Sequence, residues 1–83
     1  EPRDADLWAR IRAAVDAFMT AEWRKGGLSG SKPSEAWFAR CGLGSTMTAA
    51  DVAGGRVRLE LGFAPLKPAE FVVLRIELKA RSP

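Results

Sequence analysis

Residues 56–63, Arg56-Val57-Arg58-Leu59-Glu60-Leu61-Gly62-Phe63, decide the fold. Val57, Leu59, Leu61 and Phe63 alternate with Arg56, Arg58 and Glu60. That period of two belongs to a strand with one face buried and the other in water. Towards the C-terminus, residues 64–69 (APLKPA) form a connection too long for a two-residue hairpin turn and stiffened by two prolines. Residues 70–80 (EFVVLRIELKA) then form the most strand-like stretch of the chain. Phe71 to Leu74 is apolar on both faces, after which Arg75, Glu77 and Lys79 alternate with Ile76 and Leu78. The pattern predicts a strand sandwiched at its start and open on one face further on.

Towards the N-terminus, Thr48-Ala49-Ala50-Asp51 has the spacing of a capping box, with Asp in place of Glu or Gln. It predicts a helix of one or two turns closed by Gly54-Gly55. A small polar site on Thr46, Thr48 and Asp51 is the costlier explanation of the same residues. Trp37 to Cys41 is short, aromatic and bounded by Gly42, which predicts another strand. Cys41 has no His beside it to draw out a thiolate, so it reads as a small buried hydrophobe. Ser34 to Ala36 reads as a short turn after Pro33. Residues 25–34 (KGGLSGSKPS) form a Gly/Ser loop that lacks P-loop spacing and follows a helix instead of leading into one.

Residues 4–24 predict one long amphipathic helix. Asp4 or Asp6 serves as its cap, and Lys25-Gly26-Gly27 ends it. Leu7, Trp8, Ile11, Val15, Phe18, Met19 and Trp23 recur at three- and four-residue steps and make one apolar stripe. Arg10, Arg12, Asp16 and Arg24 fall mostly off it. Glu22 falls on the apolar side, either solvated past the end of the core or as an interface carboxylate. About 20 residues span roughly 30 Å, long for so small a domain, so the helix must lie across a sheet or another chain. The expected fold is α+β: one long N-terminal helix packed on a small, mostly antiparallel sheet of about three strands, plus one short helix, in a single domain over residues 1–83.

Composition narrows the function. The 83 residues include 13 Lys+Arg against 10 Asp+Glu, no His, no Tyr and one Cys. A chain this short buries only about 60–65% of its unfolded surface, so its core is marginal. A single Cys makes no internal disulfide, and without His the usual zinc sites, Ser-His-Asp triads and Cys-His dyads lose their parts. No paired carboxylates or base-activated nucleophile are visible, and no cofactor is expected. No apolar run is long enough to insert in a membrane, and no signal-peptide pattern opens the sequence. The start at Glu1-Pro2 suggests a piece cut from a longer chain, although processing would give the same start.

A net charge of +3 and a pI near 9.6 raise a small nucleic-acid-binding module as the alternative function, with three Trp as stacking candidates. Against it, the charges are interleaved with acids from Arg3 to Arg81, and Trp8 and Trp23 fall on the apolar stripe. A three-stranded sheet also has two edges. Strong β-formers lie on both, which suits a chain that accepts or donates strands as well as one whose edges are guarded by Arg and Lys.

Several segments, in order, resemble the C-terminal domain of contractile phage-tail sheath proteins. Glu1-Pro2-Arg3-Asp4 with Leu7-Trp8, then Ile11, Val15 and Phe18, is similar to the family's acidic-Pro, Leu-Trp helix start. Trp23-Arg24-Lys25-Gly26-Gly27-Leu28, Gly30 and Pro33 lead into Glu35-Ala36-Trp37-Phe38-Ala39-Arg40-Cys41, similar to its helix end, Gly loop and aromatic strand. Thr46-Met47-Thr48 with Asp51 and Gly55-Arg56 follow. The most specific block is Gly62-Phe63-Ala64-Pro65-Leu66-Lys67-Pro68-Ala69-Glu70-Phe71-Val72-Val73, continuing to Arg75-Ile76. Gly42-Leu43-Gly44 departs from the polar or acidic residues that the family carries after the Cys.

The resemblance implies a structural protein and no enzyme. Sheath subunits of this family stack as helical rings around an inner tube, and terminal arms of neighbours share one sheet. It implies other sheath subunits and the tube protein as partners, with neither nucleic acid nor membrane insertion. It places the chain in a virion tail, or in the bacterial cytoplasm before release. Residues 65–80 correspond to the strand-exchanging arm, with Phe71, Val72, Val73, Leu74, Arg75 and Ile76 at the subunit interface. Arg10, Arg12, Arg24 and Lys25 are the candidates to face an acidic tube.

Overall fold

The structure is a computed structural model and describes residues 2–67 and 70–79. Glu1, Pro68, Ala69 and residues 80–83 lie outside the described residues, and with them the ends of the expected domain, part of the 64–69 connection and the last residue of the expected 70–80 strand. The fold is α+β, as the periodicities require. Helix α1 (Pro2–Arg24) is followed by a single helical turn α2 (Pro33–Ala36), strand β1 (Trp37–Arg40), the short helix α3 (Ala49–Ala53), and strands β2 (Arg56–Phe63) and β3 (Val72–Lys79). The sheet order is β1-β2-β3, with both pairings antiparallel.

Helix α1 begins at Pro2, so Asp4 and Asp6 lie inside it and neither is its cap. Proline suits a first helical position because its missing N–H would have no partner there, and Asp4 complements the dipole from the first turn. The helix ends in a paired-bond cap: Gly27 N donates to Glu22 O and Gly26 N to Trp23 O, both at 2.9 Å. Gly26 takes φ +83°, the left-handed conformation this cap demands.

The core has two adjoining clusters. Trp8, Cys41, Met47, Val57 and Leu59 form one, with Ile11, Val15, Ala39 and Val52 against it. Met19, Ala36 and Trp37 form the other, with Trp23, Leu28, Leu61 and Phe63. The buried line of α1 therefore runs through Trp8, Val15 and Met19. Leu7 and Phe18 were expected on that stripe, but both are exposed, Phe18 at 64%. At 100° per residue they sit about 80–100° from the line's centre, too far round to reach the sheet.

β3 corrects a second expectation. It is sandwiched nowhere: from Val73 to Lys79 every residue is exposed. A helix about 10 Å wide covers two strands spaced about 4.8 Å apart. Here α1 packs over β1 and the inner face of β2, and β3 lies beyond its reach.

Candidate assembly interface

β3 is held by β2, and the register is continuous from Arg56↔Lys79 to Phe63↔Val72. Alternation then sorts the expected interface residues onto two faces. Val72, Leu74 and Ile76 share the inner face with Phe63, Leu61 and Leu59, while Val73 and Arg75 share the outer face with Gly62 and Glu60. Leu78 extends the inner row opposite Val57. Leu74, Ile76 and Leu78 are 44%, 39% and 47% exposed, an apolar row beside an unpaired strand edge.

The outer face is charged, with two ion pairs across the β2–β3 seam. Glu60 receives Arg40 of β1 on Oε1 and Arg75 of β3 on Oε2, each at 3.2 Å. Arg58 reaches Glu77 of β3 at 3.2 Å and Asp51 at 3.4 Å. Where β1 stops, the Thr46 hydroxyl donates to the carbonyl of Arg58, standing in for the missing strand. A groove of about 340 Å³ opens there between Thr46, Arg58, Glu60, Arg75 and Glu77, whose charges are already matched to one another.

Nearest the start of β3 the outer face is aromatic. Phe38 of β1 stacks on Phe71, ring centroids 5.8 Å apart and planes within 12°. The Arg40 guanidinium lies over the Phe38 ring at 4.6 Å. Both rings cross above Gly62, where a Cβ would come within 2.1 Å of Phe38 Cε2 and 2.7 Å of Phe71 Cε2. The alternation of residues 56–63 runs through this glycine without marking it; the only sequence signal is a Gly inside an otherwise regular strand.

Hydrogen bonds fix the connection at its beginning. Ala64 N donates to Ala36 O at 2.9 Å, Ser29 N to Ala64 O at 2.8 Å, and the Ser29 hydroxyl to Pro65 O at 3.2 Å. Leu66 and Lys67 are exposed. These bonds tie the chain to the body as far as Pro65.

The four basic candidates do not share one environment. Arg12 turns inward and donates to the Cys41 carbonyl. Lys25 pairs with Glu22 at 3.2 Å, which gives the carboxylate on the apolar side a local partner. Arg10 and Arg24 are exposed on the helix. Trp8 and Trp37 are buried and Trp23 is half-buried with its indole N–H on Gly30 O, so these rings serve the packing of the domain.

Thr48 and Asp51 form the capping box expected of them. The Thr48 hydroxyl accepts from Asp51 N, and Asp51 Oδ2 accepts from Thr48 N at 2.9 Å. Asp51 Oδ1 also takes Arg56 Nε at 3.0 Å, tying α3 to β2. The Thr48 amide foremost, then Arg56, holds the carboxyl at a pKa of about 2. Burial pushes the Cys41 thiol up against a smaller opposing effect of Arg12, in keeping with a packing role. Among the described residues no group of His, Cys, Asp and Glu is arranged to hold a metal, and no helix is long and apolar enough to cross a membrane.

No protein-family model and no curated protein sequence matches the chain. Solved structures do. The sheath complex of an extracellular contractile injection system, PVC, in its contracted state aligns with 83% of the chain at 39% identity and a TM-score of 0.70. A chain from the baseplate of the anti-feeding prophage, AFP, aligns with 96% at 35% identity and a TM-score of 0.76. The chain is a sheath-related domain. It spans about one fifth of the length of these chains, 20% and 22% respectively. Both neighbours of this sheath-related domain are components of multi-subunit injection particles, which gives it structural relatives.

Proposed function

We propose that this domain belongs to a structural subunit of a contractile sheath, and that residues 65–80 act as an arm whose strand joins the sheet of a neighbouring subunit. The observation that carries the proposal is the contrast within β3. Its register on β2 is continuous, yet no side chain from Val73 to Lys79 is buried. A strand held by main-chain pairing and cross-strand pairs is replaceable by the same strand of another copy, because the contacts are identical. The bonds that tie Ala64 and Pro65 to the body give a fixed point for a hinge, and such a hinge lets linked subunits rearrange without unpairing.

In this role the partners are other sheath subunits and the inner tube, and the site of action is the tail of a phage-like particle. The exposed Arg10 and Arg24 are better placed than Arg12 and Lys25 to meet an acidic tube. Charge reversal at Arg10 and Arg24 weakens tube docking if they face it; undiminished docking removes that assignment. Size-exclusion chromatography with light scattering, over a concentration series, tests the arm. Dimers or larger species are expected as concentration rises. A chain that stays monomeric throughout, and remains well folded without residues 65–83, would sink the arm proposal.

A further inference from the structure

Among the described residues of the arm, Phe71 lies ahead of the strand pairing and packs its ring on the body. It precedes β3, points to the outer face and lies flat on Phe38, across a glycine that leaves room for both rings. Arg40, over the Phe38 ring, is itself held by Glu60. Phe38, Gly62 and Arg40 thus form a seat built from β1 and β2, and only Phe71 comes from the arm. The seat lies at the end of β3 nearest the connection.

We propose that Phe38, Gly62 and Arg40 form an aromatic seat that selects the strand lying on β2, accepting an arm that carries an aromatic residue immediately ahead of it. The partner whose arm fills this seat in an assembly is a second copy of this chain, a clause that rests on the arm exchange proposed above. The home arm and a neighbour's arm present the same Phe71, so the seat sets how readily an arm leaves and how it lands. It does not favour one owner over the other. The two ion pairs Glu60–Arg75 and Arg58–Glu77 on the outer face then fix register once the ring is seated.

Hydrogen exchange read by mass spectrometry on the full chain, dilute enough to be monomeric, tests the seat without requiring exchange between copies. Loss of a stacked aromatic partner is expected to raise the exchange of the β3 amides about tenfold in Phe71→Ala. The amides of α1 and β1 keep their rates. Phe71→Tyr, which retains the ring and sends its hydroxyl to solvent, stays within about twofold of the parent. Phe38→Ala gives the same β3-selective acceleration, and the double variant adds little beyond either single one. Unchanged β3 rates in Phe71→Ala, or acceleration spread equally over α1, β1 and β3, would overturn the proposal. The two proposals fail separately. Selective acceleration in a chain that never dimerises leaves the seat standing without arm exchange. Concentration-dependent dimers with unaltered β3 rates leave arm exchange standing without the seat.

Discussion

Glu60 and Arg75 face one another across the β2–β3 seam, Oε2 to Nε at 3.2 Å, while Arg40 takes the other carboxylate oxygen from β1. This pair shows why β3 lies where it does. Sliding β3 by two residues in one direction sets Glu77 opposite Glu60 and Lys79 opposite Arg58. Sliding it the other way sets Arg75 opposite Arg58. Either slip keeps the apolar residues on the inner face, so the hydrophobic pattern alone does not forbid it. The charges favour the observed register, which has two opposite-charge pairs, Glu60–Arg75 and Arg58–Glu77, against one like-charge pair, Arg56 with Lys79; either slip loses both opposite-charge pairs and sets other like charges face to face.

Arg75→Glu is therefore expected to weaken the seam. The pair is solvent-exposed on the Arg side, so the loss is about 0.5–1 kcal/mol, the scale of an exposed cross-strand pair turned repulsive. Urea denaturation at low salt reads it. The difference shrinks at 1 M salt, where the screening length falls to about 3 Å. A loss unaffected by salt would point to packing instead of charge.

Gly62→Ala is expected to cost about 1–3 kcal/mol, because its new Cβ meets the Phe38 ring at 2.1 Å and the rings must separate. Gly42→Ala is the control. Its Cβ meets the Ser45 hydroxyl no closer than 3.5 Å, and a change within about 0.5 kcal/mol is expected. Thermal unfolding of the two variants beside the parent checks both.

The Asp51 carboxyl gives an acid limb to stability. Its folded pKa of about 2 lies below the ordinary 3.8, so the folded state favours the ionised form. The stabilisation is complete above the ordinary value and is lost as pH falls through 4 towards 2. Asp51→Asn removes the ionisation, lowering stability at neutral pH and flattening the curve across that window. A variant with the parent's acid limb would show that another carboxylate causes it.

The elements themselves were legible because each has an unambiguous local pattern. Arg56 to Phe63 alternates, Thr48 to Asp51 has capping spacing, and Lys25-Gly26-Gly27 carries a helix stop. The seam was legible only as an apolar strand with an open edge. Phe38, Arg40, Glu60 and Gly62 were not identified, because their roles depend on which residues the register sets side by side. Residues 40, 60 and 75 carry no mutual spacing that a single chain reading reveals. The exposure of β3 was missed for a different reason. Apolar content shows that a strand prefers burial, but whether one helix suffices to bury three strands is a matter of widths.

The same limit applied to α1 gives the last prediction. Phe18 and Met19 are adjacent, both apolar and both on the stripe that the three- and four-residue steps define. Only Met19 is buried, packed with Ala36 and Trp37, whereas Phe18 is 64% exposed. Met19→Ala is expected to cost about 2–5 kcal/mol by opening a cavity in the second core cluster. Phe18→Ala in the isolated chain should stay within about 0.5 kcal/mol, since its ring has little buried area to lose. Urea unfolding of the two variants under identical conditions measures the contrast. Equal losses would mean that the ring of Phe18 is covered in solution by a contact absent from the single chain, and repeating the Phe18→Ala measurement across a concentration series would then expose that contact as a concentration-dependent loss.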